Sequence, residues 1–183
     1  DFIQEVPEKL PFMATSCCPA WSMMAKKLFP EHADCISMAL TPMTLTARLI
    51  KRHHSNAKVV FIGPCAAKKL EAMRTDIRSD VDFVLTFEEM DGIFDARHVD
   101  VEKIEEDPEG VNDASMDGRN FAVAGGVAKS VVDVIHERYP DKEIKVANAE
   151  GLKECRKLLT MAKAGKYNGY LLEGMACPGG CVA

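Results

Sequence analysis

Seven cysteines carry the reactive chemistry of this 183-residue chain: Cys17, Cys18, Cys35, Cys65, Cys155, Cys177 and Cys181. An odd number, with no basic-then-apolar leader in view, suits no disulfide framework, so metal binding or redox chemistry becomes the leading question. Cys177 and Cys181 enclose Pro178-Gly179-Gly180. Two glycines let backbone wrap closely around something bulky. Free amides beside a sulfur would stabilise its negative charge, and Pro178 has no amide to give. The plainer alternative is a turn with two buried thiols. Thr15-Ser16-Cys17-Cys18-Pro19 differs, because adjacent side chains point apart in most backbone conformations and the two sulfurs then have separate tasks. They precede a predicted helix N-terminus, which favours a thiolate. A buried structural pair and a vicinal redox disulfide are the alternatives there. Cys65 is followed at one-turn steps by Lys68 and Glu71. Lys68 could lower the thiol pKa or donate to an anionic ligand, although taken alone Lys68 and Glu71 read as a surface ion pair. Cys35 and Cys155 sit in helix-like apolar patterns and read as core thiols.

Counting ligands separates the metals. Iron–sulfur clusters take four thiolates, whereas closed zinc sites commonly use pairs spaced C-x2–4-C, and no closely spaced Cys/His pair accompanies Cys177 and Cys181. Cys177 with Cys181, one or both of Cys17 and Cys18, and Cys65 supply at least four thiolates from separate loops. His53, His54 and His98 have polar neighbours and read as surface residues, which disfavours zinc.

These loops need elements to hold them. Apolar residues at Trp21, Met24, Ala25, Leu28 and Phe29 predict a helix over 19–29, opened by Pro19 and stopped by Pro30. A second helix is expected from Pro42 to about His53, with Thr41 as its cap. The β-branched run Lys58–Ile62 predicts a strand buried on both faces. Gly63-Pro64-Cys65 turns the chain into a helix over 66–73. A short strand at 82–85 and a helix at 87–94 follow. The acidic stretch 100–117 reads as a solvated loop, with a docking surface as the alternative. Regular structure resumes at 120–124. A helix then opens at Gly125-Gly126 with Val127, Val131, Val134 and Ile135 on one face. A strand at 143–147, a helix at 151–164 and a strand at 170–172 complete the chain. Strands alternating with helices predict an α/β fold, a parallel or mostly parallel sheet flanked by helices. Ligands in such sheets sit beyond the carboxyl ends of the strands. Cys65 and the Cys177–Cys181 pair both follow predicted strands.

Composition narrows the class. The chain is 47% hydrophobic and 28% charged, and 23 Lys+Arg against 28 Asp+Glu give −5. This argues against a nucleic-acid or anionic-membrane partner, since backbone binding needs clustered positive charge. No run of 18 apolar residues suggests a membrane span. A cytoplasmic location is expected.

Three stretches taken together resemble the signature motifs of the [FeFe] (iron-only) hydrogenase catalytic domain: Thr15-Ser-Cys-Cys-Pro-Ala-Trp21, Gly63-Pro-Cys-Ala-Ala-Lys-Lys-Leu-Glu71 and Glu173-Gly-Met-Ala-Cys-Pro-Gly-Gly-Cys181. They occur in the family's order and bracket nearly the whole chain, which would be part of that two-lobed domain. The resemblance implies a [4Fe–4S] cubane ligated by Cys18, Cys65, Cys177 and Cys181. Cys181 would bridge to a diiron unit, the whole being the H-cluster. It implies a proton relay at Cys17, a cyanide donor at Lys68 and a packing methionine at Met175. Ser37 falls on a proton-path serine, and Thr41-Pro42 on a Ser-Pro near the second cyanide. The implied activity is reversible reduction of protons to H2, with electrons from ferredoxin or another electron-transfer domain.

Two departures bear on this. The family's second motif commonly begins Met-Pro-Cys where this chain has Gly63-Pro64-Cys65, and Met43 stands where a Gln often follows the Ser-Pro. Both resemble the sensory branches, which makes a sensor of H2 or redox state the alternative reading. Related iron–sulfur assembly factors typically lack the doubled cysteine and the Pro-Gly-Gly-Cys ending, and both are present here. A vicinal-dithiol oxidoreductase would leave Cys65, Cys177 and Cys181 unexplained. By itself the 183-residue chain is expected to be inactive, to hold no metal or a partial cluster, and to risk homodimerisation through uncovered sheet edges.

Overall fold

The computed structural model describes residues 1–105 and 114–182. In chain order the elements are α1 (Phe2–Glu5), β1 (Met13–Ala14), α2 (Pro19–Leu28), a 3-10 turn (Pro30–Cys35), α3 (Pro42–His53), β2 (Val60–Ile62), α4 (Ala67–Ala72), β3 (Phe83–Leu85), α5 (Phe87–Ala96), a second 3-10 turn (Val101–Lys103), α6 (Met116–Asn120), α7 (Gly126–Arg138), β4 (Lys145–Glu150), α8 (Leu152–Lys163) and β5 (Tyr170–Met175). They group into two units, Asp1–Thr41 with Ser115–Ala183, and Pro42–Ala114.

In the first unit a parallel sheet runs β1-β5-β4, with Met13 opposite Leu171 and Glu150 opposite Met175. Each face of β5 meets a different core, because successive side chains of a strand point to opposite sides. Leu172 packs with Trp21, Phe12, Leu158 and Leu159 on the side of α2 and α8. Leu171 packs with Phe2, Val6, Met13 and Ile135 on the side of α1 and α7. Burial on both faces suits the successive apolar residues Leu171 and Leu172. Helix α8 buries Cys155, Leu158, Leu159 and Ala162, spaced i, i+3, i+4 and i+7, and carries Lys153, Arg156 and Lys157 on its exposed side.

The second unit holds a parallel pair, β2 and β3, with Val60 opposite Phe83 and Ile62 opposite Leu85. Met43 and Ala47 of α3 pack with Val81 beneath it. The carboxylate of Asp82 accepts the Val59 amide at 2.8 Å and pairs with Lys51 at 2.7 Å and Lys58 at 3.2 Å. Those bonds, Lys51 foremost, hold its carboxyl far below the usual range. Helix α5 begins with a capping box: the Glu89 amide donates to Thr86 Oγ1, and the Thr86 amide donates to Glu89 Oε2.

The parallel α/β architecture expected from the sequence is present, with differences in detail. The 58–62 strand, expected to be buried on both faces, spans Val60–Ile62 and leaves Val60 and Ile62 45% and 47% exposed. A two-stranded sheet with α3 packed beneath it covers one face only. Residues 120–124 are not a regular element: Ser115 caps α6 by accepting the Gly118 amide, α6 runs to Asn120, and only Val123 bridges, to Gly180. The strand placed at 143–147 runs from Lys145 to Glu150, and β5 continues three residues further than expected, to Met175. Val134 is exposed although its helix face is otherwise covered. Of the acidic stretch 100–117, residues 106–113 lie outside the described residues. No helix among the described residues is long and apolar enough to cross a membrane.

Candidate metal centre

The third motif begins inside β5 and leaves it at Met175, the carboxyl end of the central strand. Ala176 follows, then the exposed Cys177 and the half-buried Cys181. The turn between the two cysteines depends on its glycines: Gly179 and Gly180 have φ of 79° and 101°, where side chains are strained. A Cβ on Gly180 would lie 2.3 Å from the Ala122 carbonyl oxygen. The turn is tied to the 122–124 segment, since the Cys181 amide donates to Ala122 O at 2.7 Å and the Ala124 amide to Gly179 O at 3.0 Å.

The first motif reaches the same strand end. The Thr15 amide donates to Leu172 O at 2.9 Å, extending the β1 pairing. Cys18 is then the N-cap residue of α2 and is buried, while Cys17 beside it is half-buried. The Ala176 amide donates to Cys18 Sγ at 3.5 Å. Trp21, fully buried on α2, donates its indole N–H to Thr15 O at 2.9 Å, and its ring lies directly over Gly174. The first and third motifs are thus joined by a sulfur–amide contact and by an indole resting on a glycine. Ser37 stands alongside: its amide donates to Ala14 O at 2.8 Å, and Ser16 Oγ donates to Ala39 O at 3.1 Å. Thr41 is buried and Pro42 exposed.

Two side chains that the sequence reading did not single out as site residues support this frame. Glu173 is buried in β5 and accepts the Gly125 amide at 2.8 Å and the Ala128 amide at 2.6 Å, anchoring the N-terminus of α7. Burial raises its carboxyl above the ordinary value although these amides pull the other way. Cys155, as expected, is a core thiol, with Sγ donating to Ala149 O and Met175 O at 3.4 and 3.5 Å. Burial, with a smaller contribution from Cys18, pushes its pKa up to about 11, and burial raises Cys35 as well. A thiol below its pKa is protonated and a poor nucleophile. At pH 8, an alkylating reagent is therefore expected to modify exposed Cys177 well before Cys35 or Cys155 in the metal-free protein. Mass spectrometry of the native digest reads this, and equal labelling of the three would contradict it.

The second motif belongs to the other unit. β2 ends at Ile62, the Gly63 amide donates to Leu85 O at 3.1 Å, and Cys65 is half-buried at the start of the α4 turn. Lys68 and Glu71 are not a surface pair: they are 8% and 3% exposed, with Nζ 2.7 Å from Oε2, and Thr44 donates to the other carboxylate oxygen at 3.3 Å. The helical step that put them on one face turned that face inward, so this ion pair replaces solvation instead of supplementing it. Gly63 makes room for the Phe61 ring, which a Cβ would meet at 2.8 Å. Met43, one of the two departures, is a core residue of this unit.

Cys18, Cys177 and Cys181 therefore share the first unit, and Cys65 stands in the second. Among the described residues no three His, Cys, Asp or Glu side chains are gathered as a site for one metal ion. His53, His54 and His98 are exposed, as expected. The thiols that the first and third motifs bring to one strand end suit a cluster, whose thiolate ligands are spread around several irons. A second observation agrees: Thr15 Oγ1, in the first motif, is buried with no hydrogen-bond partner among the described residues. Such an orphan costs roughly 1–3 kcal/mol unless another group satisfies it.

Comparison with known proteins gives a consistent picture. The family model for the C-terminal domain of the iron only hydrogenase large subunit matches residues 1–183. The chain is similar to the periplasmic [Fe] hydrogenase large subunit of Nitratidesulfovibrio vulgaris, 28% identical over 211 residues that cover 92% of this chain and 49% of that protein. It is also similar to the cytosolic Fe-S cluster assembly factor NAR1 of Kluyveromyces lactis, 33% identical over 81 residues that cover 44% of this chain and 17% of that one. A solved [FeFe]-hydrogenase, studied for oxygen inactivation of its H cluster, superposes with a TM-score of 0.73 at 25% identity, covering 96% of this chain and 60% of that one. The chain spans 49%, 36% and 39% of the length of three curated hydrogenases that it matches.

Proposed function

The chain belongs to the family defined by the C-terminal domain of the iron-only hydrogenase large subunit, and from that premise we propose that it is the cluster-binding part of an enzyme interconverting protons, electrons and H2. In this reading Cys18, Cys65, Cys177 and Cys181 would hold the cubane, and Cys181 would also ligate the diiron unit. The bound H-cluster supplies the redox chemistry, and the chain supplies ligation, a proton path and shelter from water. The carrying observation is the Ala176–Cys18 contact, which sets the buried thiol of the first motif beside the residue preceding Cys177.

Each remaining residue then has a task that its surroundings allow. Cys17, next to a buried ligand but itself half-buried, holds and releases a proton at Sγ, since an ordinary thiol with pKa near ~8.5 exchanges protons at modest cost. Lys68 would donate to a cyanide of the bound cluster. The bond from its ammonium to Glu71 Oε2 fixes its direction. Met175, buried among Cys18, Trp21 and Val127, fills apolar space without offering a proton. Ser37 would continue the proton path, and Thr41-Pro42 would line the second cyanide. Electrons come from a ferredoxin-type donor or an attached domain.

Gly63 favours a second reading, sensing of H2 or redox state, because it takes a side chain away beside Cys65. One experiment separates the readings: anaerobic loading of the intact protein with iron, sulfide and a diiron precursor, followed by iron analysis and an H2-evolution assay. Four cubane irons per chain with rapid turnover supports the enzyme. A loaded protein with turnover barely above background supports the sensor, and failure to bind iron and sulfide overturns both.

A further inference from the structure

Backbone amides of the Cys177–Cys181 turn can be followed one by one. Pro178 has none. The Gly180 amide donates to Cys177 O at 3.2 Å and the Cys181 amide to Ala122 O at 2.7 Å. The Gly179 amide donates to Glu150 Oε2 at 2.6 Å. The expectation that free amides in this turn stabilise thiolate charge is therefore not met: all three are taken by groups of the chain. Two bind carbonyls, and the third binds a carboxylate.

Glu150 is well placed for this. It is the last residue of β4, opposite Met175 in the parallel register, at the carboxyl end of the sheet. The next amide, Gly151, donates to Met175 O at 2.8 Å, so the strand end that carries Glu150 is pinned to the strand end that leads into the third motif. Its charge is felt inside the unit, where it contributes to raising the Glu173 carboxyl.

We propose that Glu150 is a positioning residue of the cluster site: its carboxylate fixes the Pro-Gly-Gly turn before any cofactor arrives, and its negative charge beside Cys177 and Cys181 lowers the reduction potential of the cluster they hold. This rests on the cluster-binding reading above. Hydrogen bonds toward cluster sulfurs and positive charge nearby raise such potentials, and net negative charge lowers them. Glu150 acts in the lowering direction twice, by its charge and by removing the Gly179 donor.

The test compares the intact protein with its Glu150→Gln and Glu150→Ala variants, each loaded with iron and sulfide. Glu150→Gln keeps an oxygen acceptor and loses the charge. It is expected to make the cluster about tenfold easier to reduce, ~59 mV for a one-electron couple, in a redox titration followed by electron paramagnetic resonance. Amide hydrogen exchange of the 177–181 peptide should stay near the parent's. Glu150→Ala, which also frees the Gly179 amide, is expected to show a shift at least as large, at least tenfold faster exchange there, and faster loss of iron to a chelator. A potential and an exchange rate within twofold of the parent in both variants overturn the proposal. If the parent itself takes up no iron and sulfide, the cluster-binding reading fails, while exchange in the metal-free protein still decides whether Glu150 fixes the turn.

Discussion

Replacing Cys17 by alanine in the loaded, intact protein is expected to lower H2 evolution by ~100-fold or more while leaving its iron content unchanged. A positioned proton donor contributes about 10²–10⁴-fold to a reaction that moves protons, and this thiol is the one assigned to that step. The two sulfurs of the first motif are already distinguished: Cys18 is buried and accepts the Ala176 amide, and Cys17 is half-buried beside it. Cys17→Ser should lose nearly as much, because a serine hydroxyl does not release its proton near neutral pH. Cys18→Ala should do the opposite, losing iron first and activity as a consequence. Iron lost with Cys17→Ala and retained with Cys18→Ala would exchange the two roles. Full H2 evolution by Cys17→Ala would remove the proton relay from this position.

Much of this arrangement could be read from residue order, and the part that could not has a common cause. Cys65 and Cys177 follow strands, and strand–helix alternation announces a parallel sheet whose carboxyl ends gather ligands. β2 and β5 stand where that alternation puts them. β1 escaped notice because two residues, Met13 and Ala14, show no period. The other omissions are contacts between residues far apart in sequence: Glu173 with Gly125 and Ala128, Glu150 with Gly179, Trp21 with Gly174. Nothing local marks them, since a glutamate near a strand end is ordinarily solvated. The Lys68–Glu71 pair shows the same blindness in reverse. Helical spacing gave the shared face, but whether that face meets water depends on α3 and its Thr44.

Gly174→Ala is expected to destabilise the protein by about 3–5 kcal/mol and to abolish cluster loading. A Cβ at this position would lie 2.3 Å from Trp21 Cδ2 and 2.5 Å from Cε2 and Cε3. The indole has little freedom to yield, being fully buried with its N–H bound to Thr15 O. Overpacking of this kind costs about 1–3 kcal/mol. Displacing the ring leaves the Thr15 carbonyl and the indole donor unpaired at about 1–3 kcal/mol more. Because Trp21 and Cys18 share the first turn of α2, a shift of that turn also draws Cys18 Sγ from the Ala176 amide, and the ligand geometry goes with it. Chemical denaturation measures the first loss, and iron and sulfide content after reconstitution the second. Trp21→Leu removes the obstructing ring at its own cavity cost, so the double variant Trp21→Leu/Gly174→Ala should be clearly more stable than the sum of its parts. Additive effects, or a Gly174→Ala protein within about 0.5 kcal/mol of the parent that loads fully, would show that the first and third motifs are not held together through this contact.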